Sequence, residues 1–233
     1  MDFSLLTPKI VIEFLLRWFH ILAGVTWVGF LYWLNLVNVD FQKALDAEIK
    51  PKVNPILIPK TLFYFRWSAL VTFLTGFAYY VSILHGEVQS GPLKPLLVWL
   101  LIVAVSYFII FKLIRPEGAL NNGNVLALLV TAVVVVASTI LYSVYKHLGV
   151  VNNSSYAIGV GGMLGTFMML NVWGIIWPAQ KRLLGLVALK EGQDKLKFAR
   201  RAFLASRTNA WLSIPMLFFM AVSSHLQLIY WGN

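Results

Sequence analysis

The four histidines, His20, His85, His147 and His225, are the residues of this chain best suited to chemistry. His20 lies in the middle of the apolar run 10–39, and His225 lies inside the run 211–231. Ionisable residues set among so much Leu, Phe and Trp are costly in a membrane, and each marks a functional site by default. Neutral imidazole is the commonest metal ligand and an axial ligand of haem iron. Glu13, Arg17 and His20 are spaced i, i+4, i+7, which puts them on one helix face that Gly24 and Trp27 continue. Arg17, one turn outward of His20, suits a haem propionate or an anionic substrate, and a glycine beside a histidine ligand lets a flat macrocycle approach the backbone. The purely structural reading of the same residues is a Glu13–Arg17 pair and a histidine bonded to a neighbouring carbonyl.

Other polar or polarisable residues are more readily structural. Met216 and Met220 form an i, i+4 thioether pair that reads first as packing. Pro215 frees carbonyls and kinks its helix, as beside many binding cavities. Arg66 is expected to snorkel and Asn171 to bond across helices. Gly159–Gly165 holds four glycines in seven residues, a close helix contact or a place where backbone meets a cofactor.

Several chemistries are excluded. The chain has no cysteine, so disulfides, thiolate-bound haem, cysteinyl iron–sulfur clusters and covalent haem attachment are ruled out. Hydrolytic sets are missing, as are the paired intramembrane carboxylates of a proton-driven transporter. The net charge of +10 does not indicate nucleic acid, because the basic residues gather in loops between apolar segments.

Those segments must position the histidines. With 59% hydrophobic and 12% charged residues, the chain has about half the charge of a soluble domain. It reads as one integral membrane domain over 1–233. About twenty apolar residues cross a bilayer, and six segments qualify: roughly 10–37, 62–84, 95–115, 124–147, 157–178 and 209–231. A Pro- and Lys-rich loop over 50–60 is expected before the second helix, and an interfacial helix over 190–201. The loops after helices one, three and five hold most of the Lys and Arg, whereas the other side has Lys9, Lys94 and Lys146. The positive-inside rule therefore sets both termini on the outer side. His20 and His225 then lie about 15 Å and about 9 Å in from the outer ends of their helices. His85 and His147 fall at the outer interface.

Four stretches resemble the membrane domain of the bacterial membrane-bound urate oxidases. They are Arg17-Trp-Phe-His-Ile-Leu-Ala-Gly-Val-Thr-Trp-Val-Gly29, Phe65-Arg-Trp-Ser-Ala-Leu-Val-Thr-Phe-Leu-Thr-Gly76, Asn171-Val-Trp-Gly-Ile-Ile-Trp-Pro-Ala-Gln-Lys181, and Asn209-Ala-Trp-Leu-Ser-Ile-Pro-Met-Leu-Phe-Phe-Met220 through His225. The resemblance implies a multi-helix protein of the bacterial inner membrane, and family members typically carry a C-terminal cytochrome c domain. This chain stops two residues after Trp231, and without cysteine it is expected to lack that module. It also has Thr208 where the family pattern usually has histidine, and Ala210 where a second asparagine is common. The loop 38–61 lacks the histidine of longer members.

The expected fold is all-α, a polytopic transmembrane bundle of about six helices. The expected function is a haem b-binding redox protein, with His20 and His225 as the axial pair. His85 and His147 would serve a second haem or a metal. Electrons would pass between an outer-face donor and quinone or a separate cytochrome c, and a homodimer is compatible with the helix-facing glycines. The alternatives are a urate oxidase-like dehydrogenase using Arg17 and Arg66, and a non-redox channel or transporter lined by His20, Asn171 and His225.

Overall fold

The computed structural model describes residues 7–150, 152–189 and 193–223 in full, and the backbone alone at 224 and 225. The described elements are α1 (Pro8–Tyr32), α2 (Asn38–Ala44), α3 (Lys50–Glu87), α4 (Leu93–Leu113), α5 (Gly123–His147), α6 (Asn153–Asn171), α7 (Trp177–Leu183) and α8 (Lys195–His225). Single π-helical turns, Trp33–Val37 and Val172–Ile176, join α1 to α2 and α6 to α7. The eight helices therefore make six long rods, and no strand occurs among the described residues.

Local chemistry sets the starts. Thr7 caps α1 through its side-chain oxygen, with Pro8 at the first helical position, where a missing N–H costs nothing. Asn122 and Asn152 cap α5 and α6 by accepting from Asn124 N and Ser154 N. After α5 and α7, Gly149 and Gly185 take positive φ values of 81° and 73°, a conformation that side-chain-bearing residues avoid.

The expected loop over 50–60 is instead helix, and α3 runs unbroken from Lys50. Pro51 stands in its first turn, and Pro55 and Pro59 follow at intervals of four. The carbonyls they leave without intrahelical donors thus lie along one face, and Pro51 and Pro55 are exposed. Water can satisfy that face outside the bilayer, so the proline penalty is small there. Among the described residues the expected interfacial helix over 190–201 is not a separate element: the charged residues from Lys195 open α8 itself, and 190–192 lie outside the described residues. The expected span 209–231 is described only as far as 225.

Five rods are long and apolar enough to cross a membrane, and α8 is the sixth of the bundle. α6 is the central helix, with 67% of its apolar stretch buried against 22% or less in the other four. α1 leaves Phe14, Trp18, Phe19, Ile21 and Val25 exposed. Apolar exposure on that scale fits acyl chains and not water.

Two antiparallel pairs, α1 with α3 and α6 with α8, pack against each other chiefly through α3 and α6, while α4 and α5 lie alongside. At one end of the bundle Ser82 donates to Glu13, Glu87 accepts from the Asn152 N–H, and Ser154 donates to the Ser223 carbonyl. At the other end Asn35 Nδ2 donates to Ser206 and Trp173 Nε1 to the Arg66 carbonyl. The start of α1 and the end of α8 therefore share one face, the outer one by the positive-inside rule.

Candidate functional site

A cavity of about 480 Å3 lies between α1, α3, α4, α6 and α8, within the usual size range of ligand pockets. Asn152 and Ser223 line it near the outer ends of their helices, Arg17 one turn outward of His20, and Trp27, Thr166 and Met216 deeper. Along α1 it runs from Arg17 to Trp27, about 15 Å. Phe73, Phe77, Tyr80 and Trp99 supply aromatic wall, and Gly162 and Gly165 supply bare backbone.

His20 sits on this wall, pressed against α3. A Cβ added to Gly76 would lie 2.6 Å from two atoms of the His20 ring, so only glycine admits the imidazole there. Its Nδ1 is 2.8 Å from the Thr72 carbonyl oxygen. A carbonyl can only accept, so Nδ1 carries the proton and Nε2 is left as the lone-pair nitrogen. Metal-ligating histidines are usually oriented by this kind of second hydrogen bond. No described residue bonds to Nε2.

Two further features point to a guest. Trp27 is 2% exposed and lines the cavity, yet its indole N–H has no partner among the described residues. Buried donors are seldom left in this state. Arg17 also lines the cavity and stacks over the Tyr79 ring at 5.6 Å. Of the purely structural reading, the histidine–carbonyl bond is formed but the Glu13–Arg17 pair is not: Glu13 bonds Ser82 and faces Lys9 at 3.9 Å. The described lining contains no carboxylate, so Arg17 is its cationic group; the α6 N-terminus is already met by Glu87, which accepts from the Asn152 N–H.

The other sequence candidates are distributed as follows. Met216 and Met220 both line the cavity, seated over Gly165 and Gly161. Gly159 accepts from Trp99 Nε1 at 2.8 Å, so the glycine run serves both helix contact and cavity wall. Gly24 packs on Thr72 and does not line the cavity; the glycine beside the histidine is Gly76. His85 and His147 are exposed at the ends of α3 and α5, and neither lines the cavity. Among the described residues no group of three His, Asp or Glu could hold a metal. The His225 side chain lies outside the described residues; its backbone follows two residues after Ser223. Arg66 stacks on Trp177 at 3.8 Å, away from the cavity. Asn171 donates to Asn209 at 2.8 Å and is fully buried, as expected of an interhelical bond, and it does not line the cavity.

Sequence reasoning missed the buried pair Tyr80–Tyr145, whose hydroxyls are 2.7 Å apart and which brings α5 to the cavity wall. It also missed Thr72 and Gly76, although Gly76 closes a stretch quoted above.

Fold and site together define a polytopic helical membrane protein with a histidine-bearing cavity inside its bundle. A family profile described as Urate oxidase N-terminal matches residues 45–233. The chain belongs to that family. The match covers α3 to the C-terminus, whereas α1, with Arg17 and His20, precedes it. No curated protein and no solved structure matches the chain.

Proposed function

We propose that this chain is a membrane redox protein that would hold haem b in the cavity, with His20 Nε2 as one ligand of its iron. The observation that carries the reading is the His20 arrangement: Nδ1–H on the Thr72 carbonyl, Nε2 left as the lone-pair nitrogen, and the ring on the wall of a cavity of about 480 Å3 that Phe73, Phe77, Tyr80 and Trp99 help to line. The donor set fits the group. Arg17 suits a propionate, and the unpaired Trp27 N–H suits an acceptor deeper in. Bound there, haem would supply one-electron transfer. The chain's own residues would orient the ring, pair the acid groups and exclude water, which together set the potential.

His225, the last residue of α8, remains the proposed second ligand. Met216 and Met220 stand on the same wall and make a testable rival pair, since His/Met ligation raises the potential relative to bis-His. The donor and acceptor would be an outer-face reductant and quinone or a separate cytochrome. A reduced-minus-oxidised spectrum with pyridine haemochrome quantification tests this. A b-type band that His20→Ala abolishes is expected. His225→Ala should convert the remaining haem to a form with an open position, whereas Met220→Leu should not. Colourless protein from haem-replete cells would overturn the reading.

Family membership favours a second reading, oxidation of urate or a similar flat anion in the same cavity. Arg17 would act without Arg66, which stands apart from the cavity. Reduction of the purified protein by urate, lost in Arg17→Gln, would support it.

A further inference from the structure

A second cleft, of about 440 Å3, opens at the opposite, Lys/Arg-rich face, between the end of α4 and the start of α8. Arg201 is fixed on its wall: Nε donates to the Ile114 carbonyl at 3.0 Å, and the guanidinium stacks over Phe111 at 4.7 Å. The two terminal amino groups have no partner among the described residues, and the charge of Arg115 acts on the same group. Lys197 adds a third cation to the lining.

Among the described residues none of these cations forms an ion pair. The ion pairs among the described residues are Lys9–Glu13 and Lys43–Asp40, both elsewhere. Glu117 and Asp194 line the cleft, but neither is within ion-pair distance of the arginines, and Asp194 Oδ1 accepts from Leu196 N. A partly buried guanidinium facing a like charge is costly until an anion joins it. Phosphate oxygens fit the free edge of an arginine fork.

The surroundings say which phosphate. Toward the bilayer centre from Phe111, α4 carries Phe108, Val105 and Leu101, which are 62%, 54% and 64% exposed. At spacings of three and four they form one apolar stripe. An anionic head above an apolar track is the shape of a lipid. Basic pockets between helices on this face are suited to anionic headgroups.

We propose that the cleft binds the phosphodiester headgroup of an anionic phospholipid of the cytoplasmic leaflet. Arg115, Lys197 and Arg201 hold the phosphate, and the α4 stripe takes an acyl chain. Both Arg115 and Lys197 are exposed, so Arg115→Gln/Lys197→Gln tests the site without endangering the fold. Delipidated protein in neutral detergent is titrated separately with phosphatidylglycerol, phosphatidylcholine and inorganic phosphate, read by native mass spectrometry and melting temperature. One phosphatidylglycerol per chain should survive activation that strips phosphatidylcholine, and should raise Tm by about 2–4 °C. The cleft variant should lose on the order of tenfold in occupancy, while Lys52→Gln/Lys60→Gln on the same face should not. Equal retention of phosphatidylcholine, or unchanged occupancy in the cleft variant, overturns the proposal. An equal Tm rise with inorganic phosphate overturns the lipid assignment in favour of a soluble anion.

Discussion

His20 is useful only because of what stands behind it. The Thr72 carbonyl fixes its tautomer, and the absent Cβ of Gly76 gives the ring its place. Adding that Cβ must displace the imidazole, since the contact is with the stiff ring and not a flexible chain end. Overpacking of this kind costs about 1–3 kcal/mol. Gly76→Ala should therefore lower Tm and remove most of the haem, whereas Gly24→Ala, with its nearest neighbour at 3.7 Å, should do neither. Haem per chain and a thermal melt check both variants. Wild-type haem content in Gly76→Ala would mean that the ring does not sit where its function requires.

Among the helices, the α6–α8 contact is polar at its core. Asn171 Nδ2 donates to Asn209 Oδ1, and Asn209 Nδ2 donates to the Met168 carbonyl at 2.9 Å. Asn209→Ala strands Asn171 in an apolar setting, at about 1–2 kcal/mol. Tm should fall by about 2–8 °C with the haem spectrum unchanged, because neither asparagine lines the cavity. A shifted spectrum with intact Tm would place the pair in the site instead. This bond was legible in the sequence, because an amide inside an apolar segment has few other outlets. The start of α3 was not. Three prolines in nine residues read as a breaker, and nothing in the local pattern reveals that Pro51, Pro55 and Pro59 share one face whose freed carbonyls can meet water. The continuity of α8 through its charged start was missed for a related reason: charge marks the edge of the bilayer, not the end of a helix.

For the molecule as a whole, apolar length was enough to read the bundle, because the bilayer imposes it, and the Lys/Arg asymmetry supplies its orientation as an expectation. Sequence depth, however, gives only height along the membrane normal. It placed all four histidines in one outer layer, yet said nothing of direction around the bundle, and His85 and His147 lie outside the cavity that His20 lines. That direction comes from the packing of α3 on α6, which reflects side-chain shape more than hydropathy. The orientation itself can be tested cleanly, since the chain has no cysteine and any introduced thiol is unique. Gln89 and Glu117 are exposed at opposite ends of the bundle, after α3 and after α4. Gln89→Cys should react with a membrane-impermeant maleimide in intact cells. Glu117→Cys should react only once the membrane is opened. The reverse pattern would put the histidine-bearing cavity near the cytoplasm, and an outer-face electron donor could then no longer be its partner.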